Sequence, residues 1–124
     1  MATIISDSLL YALKMTESSN NPKVADGDQG KAKGILQIWK VVIEDVNRVY
    51  KTKYVHADAY VVSKAEDICR KYLTHYGNYY SKQTGKPATD DILARMWNGG
   101  PDGYKQSSTL SYWNRVQSYL TKKK

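Results

Sequence analysis

Apolar residues recur at intervals of three and four along most of this chain, and no alternating strand pair opposes them, so the chain is constrained to fold as packed helices. Ile5, Leu9, Leu10 and Leu13 fall on one face of a first helix over 6–18, with Ser6 as N-cap and Asp7 suited to the positive first turn. Ile38, Val42, Val46 and Val49 define a second helix over 38–50, which turns Glu44, Asp45, Asn47 and Arg48 to solvent. Ser63 and Glu66 have the spacing of a capping box and start a long helix bearing Ile68, Tyr72, Leu73 and Tyr76. Gly77 is expected to weaken or bend it, and Gly85 and Pro87 to end it after Thr84. Thr89 caps a fourth helix with Ile92, Leu93 and Met96 inward, and Leu110, Trp113, Val116 and Leu120 mark a last one over 108–120. The expectation is a single mainly α domain over residues 1–124, large enough to bury a core without metals or crosslinks.

One segment breaks the repeat. Residues 19–33 are polar, rich in turn formers and too long for a simple connector, and long ordered loops in compact domains are often binding segments. Glu17 stands just before this loop, one turn beyond Leu13, where a helix end carries partial negative charge and disfavours an ionised carboxyl group. Asp26 and Asp28 lie within the loop, and Ile35, Leu36 and Ile38 anchor its far end. A second cluster, Trp97-Asn98-Gly99-Gly100-Pro101, has glycines that let backbone come close to another segment or to a ligand.

Composition narrows the partners. The formal net charge of +7 attracts polyanions, among them nucleic acid, anionic cell-wall polymers and the outer-membrane surface. The basic residues are scattered and build no recognition helix, which argues against nucleic acid, and no apolar run is long enough for stable membrane insertion. The Lys122, Lys123, Lys124 tail reads as a solvated helix end. The lone Cys69 reads as a small buried hydrophobe, and His56 and His75 have no neighbouring ligand set, so neither a metal nor any cofactor is expected. Eleven tyrosines and three tryptophans with no phenylalanine are aromatics with a polar tip, which suit a wet cleft. Tyr72, Tyr76, Trp113 and Tyr119 sit at helical spacing and belong to the core, whereas Tyr54, Trp97 and Tyr104 are the cleft candidates.

Four short motifs occur in a telling order: Glu17-Ser18, Asn21-Pro22, Gly34-Ile35-Leu36-Gln37-Ile38 and Trp97-Asn98-Gly99-Gly100-Pro101. Together they resemble the ES, NP, GLMQI and YNAGP segments of goose-type lysozymes and soluble lytic transglycosylases, over roughly residues 7–118. The resemblance implies a lysozyme-like helical fold with an active-site cleft and an enzyme that cuts peptidoglycan glycan strands. It makes Glu17 the catalytic acid, with Ser18, Gln37, Trp97 and Asn98 as substrate-binding residues. Asp28 resembles an aspartate that goose-type enzymes keep in the same loop, and Trp39 stands where those enzymes have a further aspartate.

Two outcomes stay open at this point. If Asp28 or Asp26 holds a water on the opposite sugar face, the enzyme is an inverting muramidase with carboxyl groups about 6.5–9.5 Å apart. If neither does, the muramic acid closes on its own anomeric carbon, as the resemblance to lytic transglycosylases implies. A non-catalytic basic module that binds wall or DNA is the rival from another class. No signal peptide is recognisable at the N-terminus. The expectation is therefore a monomeric, phage-type endolysin, made in a host cytoplasm and acting on the wall or periplasm after release.

Overall fold

The computed structural model describes residues 2–122; Met1, Lys123 and Lys124 lie outside them, and with the last two most of the basic tail. Among the described residues five α-helices follow in order: α1 (Asp7–Ser18), α2 (Lys40–Tyr50), α3 (Val62–Thr84), α4 (Asp90–Gly99) and α5 (Leu110–Lys122). Short 3-10 turns at Asp28–Gly30, His56–Tyr60, Gly103–Lys105 and Ser107–Thr109 connect them. The expected mainly α fold is what forms, and among the described residues no helix is long and apolar enough to cross a membrane. Among the described residues extended pairing is limited to two isolated bridges, Gly27 with Ala32 and Lys33 with Ile38, which fold the long loop back on itself.

The core joins one face of each helix. Leu9 and Leu13 of α1, Ile68 and Leu73 of α3, Leu93 of α4 and Val116 of α5 are fully buried. Each such side chain contributes about 1.5–3 kcal/mol relative to exposure. α1 packs on α5 and α4, α4 also packs on α5 and α3, and α2 rests on α3. Cys69 is buried and free, as expected of a small hydrophobe, and burial pushes its thiol pKa up.

Several local expectations need correction. α2 starts two residues later than expected, because Ile38 is held in the bridge to Lys33 and Trp39 is extended at the N-cap. Asp45 of α2 is not fully solvated: its Oδ2 accepts from the Tyr76 hydroxyl at 2.7 Å and its Oδ1 from Arg48 at 2.9 Å. Asn47 is also engaged, accepting from Tyr54 N–H and donating to the Tyr54 carbonyl, so that its amide substitutes for a missing backbone partner. The Ser63–Glu66 capping box does not form; α3 begins two residues earlier, with Val61 as its N-cap, and Glu66 instead accepts from Lys14 of α1 at 2.6 Å. Gly77 lies inside an unbroken α3, where a Cβ would meet Thr3 Cγ2 at 2.7 Å and Leu93 Cδ2 at 3.0 Å. Its role is to admit the N-terminal segment and α4 to the helix surface. Leu110 is 46% exposed and Tyr112 is 3% exposed, so the inward face of α5 is rotated from the one expected.

Candidate active site

The end of α1 sets the position of Glu17. The Ser6 side chain caps the start of that helix by accepting from Leu9 N–H at 3.0 Å. At the other end Ser19 turns left-handed with φ 56°, and the N–H groups of Ser19 and Asn20 donate to the carbonyls of Met15 and Lys14. The Ser18 hydroxyl then donates to the Ile35 carbonyl at 2.8 Å and accepts from Asn21 N–H at 3.2 Å. One buried serine thus fastens both ends of the long loop to the residue next to Glu17.

The loop is held in a demanding conformation. Ser19, Asn20, Asp28, Gln29 and Gln37 all take positive φ, and backbone strain of this kind collects at functional sites. Gly34, at φ 78°, brings the chain so close to the 56–60 turn that a Cβ would lie 1.9 Å from the Ala59 carbonyl oxygen. Gln37 Nε2 donates back to the Gly34 carbonyl at 2.9 Å, which orients its amide.

These constraints create a cleft of about 250 Å³ lined by Glu17, Asp28, Ala32, Gln37, Ile38, Trp39, Val42, Trp97 and Asn98. Four of the residues singled out in the sequence meet there with Glu17: Asp28 and Gln37 from the loop, and Trp97 and Asn98 from the end of α4. Trp97 is braced edge-on by Tyr72, ring centroids 5.7 Å apart.

Glu17 is the unusual group in this cleft. Burial pushes its pKa up, and the charge of Asp28 adds to the rise. A hydrogen bond from Tyr112 and the charge of Arg115 oppose it, and the balance lies at about 7. Tyr112 donates to Glu17 Oε2 at 2.6 Å. Such a carboxyl group keeps its proton close to neutrality and can give it to a bound substrate.

Other expectations fall elsewhere. Asp26 does not line the cleft; it accepts from Lys33 at 2.8 Å and from Tyr60 at 2.9 Å, and these bonds hold its carboxyl below the usual range. Ser18 is buried in the loop anchor just described and is likewise not a wall of the cleft. The Tyr54 hydroxyl donates to Asp67 on α3, which with burial pushes its pKa up to about 12, and Tyr104 packs edge-on against Tyr80 at 4.9 Å. Neither tyrosine lines the cleft, because each is committed to packing between elements.

Sequence reasoning missed Trp39, Val42, Ala32 and Ile38 as walls and Tyr112 as the partner of Glu17. A signal for Tyr112 existed. It lies four residues before buried Val116, the spacing of a shared helix face.

A buried glutamate with a raised pKa and an exposed aspartate sharing an aromatic-walled cleft, on a helical scaffold, are the parts that a glycosidase of the lysozyme class requires. Comparison with known proteins agrees. Invertebrate-type lysozyme 3 of Caenorhabditis elegans is 33% identical over 115 residues, covering 88% of this chain and 82% of that protein. The lysozyme of the oyster Ostrea edulis is 29% identical over 116 residues, 92% of this chain and 80% of that protein. The crystal structure of inhibitor-bound lysozyme from Meretrix lusoria superposes with a TM-score of 0.73 at 29% identity, covering 92% of this chain and 89% of that one. The sequence matches no family profile. The chain belongs to the invertebrate-type lysozymes, which are glycoside hydrolases.

Two expectations are corrected by these relatives. The resemblance to goose-type lysozymes and lytic transglycosylases pointed to the right class of enzyme but the wrong family within it. The phage-type, cytoplasmic origin does not stand either, since the relatives are lysozymes of a nematode and of bivalve molluscs.

Proposed function

We propose that this chain is a single catalytic domain that hydrolyses the β-1,4 bond between N-acetylmuramic acid and N-acetylglucosamine in peptidoglycan, with Glu17 as general acid and Asp28 as the second carboxylate. The observation that carries this reading is the position of Glu17, whose pKa of about 7 lies on a cleft it shares with exposed Asp28. Glu17 gives its proton to the leaving glycosidic oxygen while positive charge grows on the anomeric carbon. Asp28 faces that charge and takes the proton of the water that adds there. The Trp97 and Trp39 rings offer flat apolar faces to the sugars, and the Gln37 and Asn98 amides offer donors and acceptors to their acetamido and hydroxyl groups. Tyr112 touches no substrate in this scheme; it orients the acid.

The enzyme acts as a monomer, and its positive charge draws it to anionic wall surfaces by long-range attraction. Mass spectrometry of muropeptides released from purified peptidoglycan tests the proposal, with Glu17→Gln and Asp28→Asn beside the parent. Reducing muramic ends, lost in both variants, are expected. Anhydro ends lost only with Glu17→Gln would move the assignment to a transglycosylase. A parent that releases nothing, or a fully active Glu17→Gln, would end the catalytic assignment.

A further inference from the structure

The cleft shares one wall with a second cavity. Trp39 lines both, and the second, of about 320 Å³, is completed by Gly30, Lys31, Lys40, Val41 and His56. Its chemistry differs from that of the cleft. No carboxylate lines it, Trp39 is 39% and Val41 60% exposed, and two lysines, Lys31 and Lys40, contribute to its walls. Among the described residues neither Lys31 nor Lys40 forms a salt bridge. Lys33, in the same loop, shows the contrast, since its ammonium is tied to Asp26 and Tyr60. Lys31 instead lies over the Trp39 indole, 5.7 Å from the ring centroid. His56 is fixed by a 2.7 Å hydrogen bond between Nε2 and the Ile38 carbonyl, which anchors that side of the cavity.

An apolar floor with unpaired cations in its walls suits a short carboxylate-bearing peptide better than a neutral sugar. The proposed substrate carries such a group one substituent away from the bond that is cut. Each muramic acid bears, through its lactyl ether, a peptide that contains free carboxylates. The peptide leaves the sugar ring through the lactyl ether, and the second cavity adjoins the cleft across their shared wall, Trp39. We propose that the cavity walled by Lys31, Trp39, Lys40, Val41 and His56 is a stem-peptide site, which makes the enzyme prefer peptide-bearing glycan to bare glycan. The inference rests on the muramidase reading of the cleft.

The test compares kcat/KM on two soluble substrates: glycan chains with their stem peptides, and the same chains stripped by an amidase. Both come from peptidoglycan that lacks wall phosphate polymers; the amidase leaves one lactyl carboxylate on each stripped muramic acid, so a preference for the peptide-bearing chains reads the peptide itself and not the mere presence of an anion on the sugar. The expected parent ratio favours the peptide-bearing chains by roughly three- to tenfold, the scale of two partly exposed charge contacts. The ratio falls to about one in Lys31→Ala/Lys40→Ala and is kept in Lys31→Arg/Lys40→Arg. Added salt lowers the parent ratio in the same direction. Lys82→Ala/Lys86→Ala, on the exposed end of α3 and the residues after it, leaves the ratio unchanged. A parent ratio of one, or an unchanged ratio in the Lys31/Lys40 alanine variant, overturns the site. An equal fall in the Lys82/Lys86 variant also overturns it, in favour of general charge attraction. If the parent cuts the stripped chains without preference, the pocket assignment alone fails; if it cuts neither substrate, the muramidase reading fails with it.

Discussion

The Tyr112 hydroxyl donates to Glu17 Oε2 at 2.6 Å, joining residues 95 positions apart in the chain. It ties the end of α1 to α5, two helices that also pack against each other. The bond has two effects on the carboxyl group: it fixes the orientation, and it favours the ionised form against the burial that favours the neutral one. The hydroxyl itself is buried beside Glu17, which pushes its own pKa well up, so it stays a donor throughout the working range.

Replacing Tyr112 by Phe therefore raises the Glu17 pKa further. The alkaline limb of the kcat/KM profile is expected to move up by about half to one pH unit, a hydrogen bond of about 1 kcal/mol expressed as a pKa change. kcat falls at the same time, because the acid loses its fixed direction. A profile that keeps its position while kcat drops would assign Tyr112 a packing role alone.

Burial of Glu17 also makes stability depend on pH. Its folded pKa, about 7, lies above the ordinary 4.5, so below pH 4.5 both states hold the proton and nothing is lost. Between the two values the unfolded chain releases its proton first, and stability falls as pH rises through about 7, by up to roughly 3 kcal/mol. Glu17→Gln removes this titration. Urea denaturation across pH 4 to 9 should show the variant gaining on the parent as pH rises and holding a constant lead in alkaline solution.

Gly34→Ala tests the loop. The new methyl group would lie 1.9 Å from the Ala59 carbonyl oxygen, at a φ of 78° that L residues rarely adopt. The backbone of the 56–60 turn or of the loop must move, and a loss of more than about 2 kcal/mol is expected, with activity reduced in whatever stays folded. Gly30→Ala is the control: it also has positive φ, at 88°, but nothing stands within 4 Å of its added Cβ.

The aromatic residues separate by place. Trp97→Ala is expected to lower kcat/KM by roughly tenfold, since the ring walls the cleft. Tyr104→Phe is expected to leave kcat/KM unchanged, because its ring packs on Tyr80 outside the cleft. Steady-state kinetics on soluble glycan measures both.

Much of this molecule was already determined by the order of its residues. Helical spacing of Leu9 and Leu13, of Ile68 and Tyr72, and of Leu93 and Met96 dictates where helices run, because a 3.6-residue period buries one face whatever the final packing. Glycine at 85 and the cap at Ser6 set helix ends through local geometry alone. Glu17, Asp28, Gln37, Trp97 and Asn98 were legible because their motifs are local and occur in order.

What the linear order left open depended on distant partners. Tyr54 and Tyr104 look like cleft aromatics by composition, yet Asp67 and Tyr80 claim them once α3 is in place. Asp26 and Asp28 are nearly equivalent as sequence, and only the arrival of Lys33 and Tyr60 occupies the first, while the second lines the cleft with Glu17. The acidity of Glu17 is likewise a property of the assembled fold, since burial, Tyr112 and Arg115 come together only when α5 packs against α1. Local periods and caps act over a few residues and can be read directly; electrostatic environment and cleft shape are sums over long-range neighbours, and tertiary packing alone supplies them.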